Sequence, residues 1–121
     1  MPLQIKRIYD EPQDSDGVRI LIDRLWPRGV SKEKARLDEW GKNLAPSADL
    51  RKWFGHKKEN FATFKQKYLE ELDTVPETKE AIKKVLAESQ KSMVTLLYGA
   101  KDPKINHAIV LLEYLEEKEL S

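Results

Sequence analysis

Two strand-like apolar runs that lie far apart in the chain constrain the fold of this sequence more than any other feature. They are Val18–Ile22 and Met93–Tyr98. Near-continuous apolarity over so few residues is typical of a strand that is covered on both faces. The chain between the two runs carries helical patterns, and helical crossovers join parallel strands. The sequence therefore predicts an α/β fold in which these two strands run parallel.

Helical patterns fill much of the chain between these runs. The clearest one predicts an amphipathic helix over Glu59–Val75, because its apolar residues recur at spacings of three and four. These residues are Phe61, Phe64, Tyr68, Leu72 and Val75. A capping box over Thr74–Glu77 predicts that a second helix begins there. Its inward residues are expected to be Ala81, Ile82, Val85 and Leu86.

Shorter helices are predicted on either side of this pair. Between Ser31 and Gly55 we expect short helical pieces, one of them capped by Ser47, and Gly55 is expected to stop a helix in the left-handed conformation. The last helix is predicted to start near Asn106. The buried residues predicted for that C-terminal helix are Ala108, Ile109, Leu112 and Leu115.

The start of the chain predicts one further strand, over Leu3–Tyr9. It is followed by Asp10–Gly17, a run of turn formers and acids that predicts a solvated connection. This connection is too short for a helical crossover, so the first strand either runs antiparallel to the second or reaches its place through an extended loop. The sequence thus predicts a small sheet of three to four strands, mostly parallel, and leaves a mixed sheet open.

Size and charge exclude several classes of protein. With 121 residues, the chain is expected to form a single domain over 1–121. Its 22 basic and 21 acidic residues give a formal net charge of +1, which argues against nucleic acid as a partner and against an anionic membrane surface. It has no cysteine, so thiolate chemistry and disulfides are excluded. Without a signal-like segment or a run long enough to span a membrane, the expected location is the cytoplasm. The oligomeric state is not predicted.

Unusual polar residues follow both predicted central strands. After the first strand come Asp23, Arg24, Trp26 and Arg28, and at or after the second come Tyr98, Lys101, Asn106 and His107. The carboxyl ends of neighbouring parallel strands meet at one edge of a sheet, where ligands bind. Arginine forks match carboxylate or phosphate oxygens, and a proline fixes the backbone between the two arginines. The sequence therefore predicts a pocket for a small anionic ligand, clamped by Arg24 and Arg28.

Two residues of this pocket are candidates for acid–base chemistry. Asp23 is assigned as an orienter of the ligand or a base, and His107 as an acid or base, since a helix N-terminus disfavours positive charge on the ring. The ligand-binding candidates are Arg24, Trp26, Arg28, Tyr98, Lys101, Asn106 and His56. The two histidines and Asp23 match a metal site in number but not in spacing, so no metal is predicted. Glycine-rich nucleotide motifs are missing, so no cofactor is predicted.

The run Val18–Val30, with Asp-Arg-Leu-Trp-Pro-Arg-Gly at its centre, resembles the YeaO-like family of small bacterial proteins, a branch of a larger family of unknown function. The resemblance continues over nearly the full chain, in Leu37–Trp40, Leu44–Ser47, Leu50–His56, Thr95–Asp102 and Asn106–Ala108. It implies no established activity. The wider family often carries Cys-His-Arg where this chain has Asn106-His107-Ala108. If chemistry in the wider family relies on that thiol, the resemblance implies that this chain cannot perform it.

Three functions remain open on the sequence alone. The first-ranked is a pocket for a small anionic molecule, with or without catalysis. The second is a nucleic-acid-binding or protein-binding module that uses the Arg/Trp segment and Lys57-Lys58. In the third, the charged residues are architectural, and Arg24 pairs with Asp23, Asp38 or Asp102. The structure first tests these hypotheses by showing whether the segment after the first central strand and the start of the last helix line one cavity.

Overall fold

A parallel sheet lies at the centre of the protein, in a computed structural model that describes residues 2–120. Its strands are β1 (Leu3–Arg7), β2 (Val18–Leu21), β3 (Glu39–Trp40) and β4 (Val94–Tyr98). Their order across the sheet is β1-β4-β2-β3, and each neighbouring pair is parallel. The two apolar runs therefore form the interior strands β2 and β4, which lie side by side as the sequence predicts.

The first strand reaches its place through an extended loop. β1 pairs with β4 rather than with β2, so Leu3 and Val18 both lie opposite Val94 in the register. The connection between β1 and β2 must therefore pass across β4, and it contains only a short 3₁₀ turn, Asp14–Asp16. This is the extended-loop alternative, and the mixed sheet that the sequence left open is not formed by the described residues.

The connection after β1 is not solvated throughout, so the prediction for Asp10–Gly17 is wrong at Asp16. The Asp16 carboxylate is buried, 2.6 Å from Arg19 Nη1 and 3.2 Å from Lys6 Nζ. Burial alone would raise the pKa of Asp16, but the hydrogen bond from the Gln13 backbone N–H and the two cations outweigh it, so that pKa is lowered. A buried carboxylate is tolerated here because both neighbouring charges and a backbone donor satisfy it.

Helices account for most of the remaining chain. They are α1 (Lys32–Ala35), α2 (Ala48–Phe54), α3 (Phe61–Thr74), α4 (Pro76–Ser89) and α5 (His107–Leu120). Ser47 caps α2 as predicted, because its hydroxyl accepts the Leu50 N–H at 3.2 Å. Gly55 ends α2 with φ of 55°, in the left-handed region. None of the helices in the described range is long and apolar enough to cross a membrane.

The predicted capping box at the start of α4 is wrong. The Thr74 hydroxyl instead donates to the Glu70 carbonyl at 2.7 Å, inside α3. α4 begins at Pro76, whose missing N–H would have been unsatisfied at that position in any case. The inward face of α5 also differs from the prediction. Its buried residues are Ala108, Val110, Leu111 and Leu115, whereas Ile109 and Leu112 are half-buried.

The sheet is covered on both faces by different structures. Helices α2 to α5 pack on one face, where the buried residues include Ile20, Leu96, Phe64, Tyr68 and Leu111. The other face is covered by α1 and the loops, around Ile8, Leu21, Ala35 and Leu97. Alternation along the strands divides the two sets, since successive side chains point to opposite faces. The short edge strand β3 was not predicted, because two residues carry no periodicity.

Candidate functional site

A cavity of about 550 Å³ opens where β2 and β4 end. The segment after β2, helix α2 with its flanking residues, the segment after β4 and the start of α5 all contribute to its wall. This is the carboxyl edge of the parallel sheet, where α/β proteins bind ligands. Of the nine predicted site residues, seven line the cavity: Asp23, Arg24, Trp26, His56, Lys101, Asn106 and His107. Arg28 and Tyr98 do not.

Asp23 accepts hydrogen bonds from two other segments of the chain. Its Oδ2 accepts the Gly99 N–H at 2.9 Å, just after β4, and its own carbonyl accepts the Trp40 indole N–H at 2.8 Å. A side chain at position 99 would conflict with this contact, because a Cβ there would lie 2.8 Å from Oδ2. The carboxylate therefore links the ends of β2 and β4, and a side chain at position 99 would require the carboxylate to shift.

His107 is the first residue of α5 and faces Asp23. Its Nε2 lies 2.9 Å from the Ile22 carbonyl oxygen and 3.1 Å from Asp23 Oδ1. Both neighbours accept hydrogen bonds, so the hydrogen of a neutral ring belongs on Nε2. The carbonyl is the closer acceptor, and Oδ1 is left buried without a well-aligned donor. The edge of the Tyr68 ring packs against the imidazole at a centroid distance of 6.3 Å.

Three cationic side chains lie on the cavity wall. Arg24 Nε donates to the Pro46 carbonyl at 3.1 Å, and within residues 2–120 its guanidinium forms no ion pair with Asp23, Asp38 or Asp102. Arg51, on α2, has a buried Nε without a hydrogen-bond partner among the described residues. Lys101 is exposed at the rim. The architectural ion pair proposed for Arg24 is therefore not formed.

The rest of the wall is mainly apolar. It includes Leu25, Pro27, Ala45, Pro46, Phe54 and Phe64. Phe54 and Phe64 stack with their centroids 4.2 Å apart and an interplanar angle of 18°. His56 follows α2 with φ of 58° and lies 5.8 Å from the Phe54 ring. The cavity thus combines an aromatic and aliphatic wall with a small number of charged groups, which is the composition of small-molecule sites.

Asn106 and Asp102 border the cavity but serve the local fold. Asn106 Oδ1 accepts the Ile109 N–H at 3.0 Å, which caps α5, and its Nδ2 donates to the Asp102 carbonyl at 2.8 Å. Asp102 Oδ1 accepts the backbone N–H groups of Lys104 and Ile105 at 2.8 and 3.1 Å. These side chains shape the loop before α5, so their hydrogen-bonding groups are used within the chain.

The structure places two predicted ligand-binding residues outside the cavity. Arg28 points to solvent from a turn that contains Gly29 with φ of 75°, and the Trp26 indole N–H donates to the Val30 carbonyl at 2.7 Å across that turn. Tyr98 is buried on the helix-covered face of the sheet. Burial raises the pKa of the Tyr98 hydroxyl. Strand alternation explains this position, because Tyr98 shares a face with Leu96.

Arg51 is the site residue that the sequence did not reveal. It lies on α2, which is oriented by Ser47: the Ser47 hydroxyl donates to Glu71 Oε2 at 2.6 Å, and its N–H donates to Glu71 Oε1 at 2.9 Å. The local signal at Ser47 predicts a helix start but not the partner on α3. In the described part of the chain, no group of three or more His, Asp or Glu side chains is arranged to hold a metal ion.

The fold and the cavity define a class: a small α/β protein whose parallel sheet carries a largely apolar cavity with arginines at its carboxyl edge. Residues 2–121 match the family model described as the inactive DUF488-N3 subclade. The chain is 45% identical over 115 residues to the uncharacterized protein YeaO of Escherichia coli (strain K12). This match covers 95% of this chain and 97% of that protein. The chain belongs to the YeaO-like family, as its Asp-Arg-Leu-Trp-Pro-Arg-Gly segment predicts.

More distant relatives cover the chain almost as fully. The uncharacterized proteins Mb3100c of Mycobacterium bovis (strain ATCC BAA-935 / AF2122/97) and Rv3073c of Mycobacterium tuberculosis (strain ATCC 25618 / H37Rv) are each 34% identical over 113 residues. These matches span 93% of this chain and 92% of each relative. No solved structure matches the chain. These matches therefore extend over nearly the full length of this chain and of each relative.

Proposed function

We propose that the cavity binds a small organic anion and does not catalyse a reaction. The observation that carries this proposal is Arg51, whose buried Nε–H has no acceptor among the described residues. A buried donor without a partner costs about 1–3 kcal/mol, and more when it is charged. A carboxylate in the cavity that accepts from the Nη groups would give this guanidinium, which forms no ion pair with a described residue, the counter-charge that it lacks.

Arg24 supports the same assignment. Its Nε is bound to the Pro46 carbonyl, which fixes the side chain and leaves the two Nη groups for a ligand. Holding a guanidinium in place before the ligand arrives lowers the entropy cost of binding. With Lys101 at the rim and Asp102 engaged by its own loop, the charged groups that remain for a ligand favour an anion.

The apolar wall specifies the rest of the ligand. Phe54, Phe64, Pro46 and Leu25 offer contact to carbon rather than to hydroxyl groups. A volume of about 550 Å³ lies within the usual range for sites that enclose a metabolite-sized molecule. The expected ligand is therefore a carboxylate with an aromatic or branched aliphatic body.

Two features favour binding over catalysis. The matching family model is described as inactive. In addition, Asn106 stands where the resemblance implies a thiol in the wider family, and its amide caps α5 and bonds the Asp102 carbonyl. We therefore assign Asp23 and His107 to orienting the ligand rather than to proton transfer.

Calorimetry with a matched pair of probes tests the proposal. We expect the protein to bind 3-phenylpropionate and to bind the neutral 3-phenylpropionamide at least about tenfold more weakly, because a charged hydrogen bond contributes about 1.5–3 kcal/mol. Arg51→Met should reduce the affinity for the acid by a similar factor. Lys52→Met, one residue along α2 and outside the cavity, is the control and should retain it. Equal affinity for acid and amide, or no binding of the acid by the folded protein, would contradict the proposal.

A further inference from the structure

The hydrogen bonds of His107 indicate a further chemical group that the ligand should carry. This step rests on the proposed function, because it concerns the same cavity. Nε2 faces two acceptors, the Ile22 carbonyl oxygen at 2.9 Å and Asp23 Oδ1 at 3.1 Å. The closer neighbour is a backbone carbonyl, which has no hydrogen to donate, and an ionised Asp23 carboxylate has none either. The neutral ring therefore carries its hydrogen on Nε2.

This tautomer fixes the chemistry of the other ring nitrogen. Nδ1 of an Nε2-protonated imidazole has a lone pair and accepts a hydrogen bond. No described residue donates to Nδ1, and Nδ1 is not among the buried side-chain atoms that lack a partner. His107 lines the cavity and is half-buried. The wall thus offers a fixed acceptor in addition to its arginine donors.

We infer that the ligand carries a hydrogen-bond donor beside its carboxylate, which makes it a hydroxy acid with an apolar body. Its carboxylate binds the Arg24 and Arg51 guanidinium groups, its hydroxyl donates to His107 Nδ1, and its apolar group packs on Phe54 and Phe64. Asp23 is the positioning residue, because its carboxylate favours the tautomer that makes Nδ1 an acceptor. A ligand hydroxyl gives Nδ1 a hydrogen-bond donor, whereas a hydrocarbon there leaves the acceptor unpaired.

Two acids that differ by one hydroxyl test the inference. We expect one enantiomer of 3-phenyllactate to bind about tenfold more tightly than 3-phenylpropionate, which corresponds to one hydrogen bond. In His107→Phe, which keeps a ring of similar size but has no acceptor, this ratio should fall to about one. In Lys52→Met the ratio should equal that of the unaltered protein.

The outcomes separate this inference from the proposed function. If 3-phenylpropionate binds and neither enantiomer of 3-phenyllactate binds more tightly, the hydroxyl requirement is wrong and the anion site stands. If neither acid binds, both proposals are wrong.

A spectroscopic measurement keeps the inference testable if His107→Phe does not fold. Long-range ¹H–¹⁵N correlation spectra of the unaltered protein, recorded at a pH where the ring is neutral, report which ring nitrogen carries the hydrogen. We expect the Nε2-protonated form for His107, and a shift of its Nδ1 resonance on addition of 3-phenyllactate but not of 3-phenylpropionate. The Nδ1-protonated form, or an Nδ1 resonance that both acids leave unchanged, would overturn the inference.

Discussion

The two oxygens of the Asp23 carboxylate lie beside different N–H groups, and only one of them accepts a well-aligned hydrogen bond. Oδ2 accepts the Gly99 N–H at 2.9 Å, and Oδ1 lies 3.1 Å from His107 Nε2. A carboxylate is suited to this position because it offers acceptors on both sides and no hydrogen of its own when ionised. The side chain thus lies between the ends of two strands and the start of α5.

Replacing Asp23 by asparagine is expected to destabilise the protein. One side of an amide is an NH₂ group, so Asp23→Asn must direct a donor either at the Gly99 N–H or at His107 Nε2–H. Each orientation places two donors against each other and should lower the free energy of unfolding by about 1–3 kcal/mol, measured by urea denaturation. Asp49→Asn, on an exposed residue in the first turn of α2, should change it by less than about 0.5 kcal/mol. An Asp23→Asn variant as stable as its parent would show that the two contacts do not stabilise the fold.

At the level of elements, the cavity depends on how α2 docks on α3. Glu71 on α3 accepts from both the N–H and the hydroxyl of Ser47, while the same hydroxyl accepts the Leu50 N–H. One serine therefore caps α2 and ties it to its neighbour. Because α2 carries Arg51 and Phe54 into the cavity wall, the contact sets the position of the proposed anion site.

Two substitutions at Ser47 separate capping from docking. Ser47→Ala removes the cap and the hydroxyl contact with Glu71, leaves only the N–H contact, and should lower the free energy of unfolding by about 2 kcal/mol, the upper end for loss of a cap. Ser47→Asp retains a good cap but sets a second carboxylate against Glu71, so it should remain destabilised, and it should weaken binding of 3-phenylpropionate. Chemical denaturation and calorimetry of both variants test this. Recovery of full stability in Ser47→Asp would show that only the cap matters.

Local patterns account for what could be predicted of these elements. The strands β2 and β4 and the long helices α3 and α4 follow from apolar spacing, and parallel neighbours follow from the crossover that joins them. The same alternation places Tyr98 with Leu96 on the helix-covered face, so its burial there could have been predicted from the sequence. β3 was not, because Glu39 and Trp40 are paired only through contact with β2.

The cavity itself was predictable in location but not in full composition. The carboxyl ends of β2 and β4 meet there because the strands are parallel, and that rule gathers Asp23, Arg24 and His107. Two arginines differ from the prediction because of tertiary contacts: Arg28 lies outside the cavity and Arg51 lines it. Arg28 is turned outward by a turn that Trp26 closes, and Arg51 is turned inward by the docking of α2. Neither of these contacts can be recognised from the spacing of residues in the sequence.

For the whole molecule, buried carboxyl groups make stability depend on pH in two opposite directions. The pKa of Asp16 is lowered from its usual 3.8, so its ion pairs stabilise the fold above that pH and are lost as the pH falls through the lowered value. The pKa of Glu88, on α4, is raised from its usual 4.5, first by burial and then by the hydrogen bond and charge of Glu39, while Lys84 lowers it. A group with a raised pKa stabilises the fold while protonated, below about its usual value, and that stabilisation is lost as the pH rises through the raised value.

The substitution Glu88→Gln is therefore expected to stabilise the protein near neutral pH. An ionised Glu88 faces Glu39 and the nearby Asp38 with one buried oxygen unpartnered, and only Lys84 offers a compensating charge. A neutral amide removes the repulsion and donates to Glu39, which should raise the free energy of unfolding by about 1 kcal/mol at pH 7, as judged by urea denaturation. At about pH 4, where Glu88 is itself protonated, the difference between variant and parent should vanish.

Glu80→Gln, on the exposed side of α4, is the control and should show no such pH dependence, because its contact with Lys83 is open to solvent. If Glu88→Gln stabilises the protein equally at both pH values, protonation of Glu88 does not contribute to the pH dependence of the free energy of unfolding.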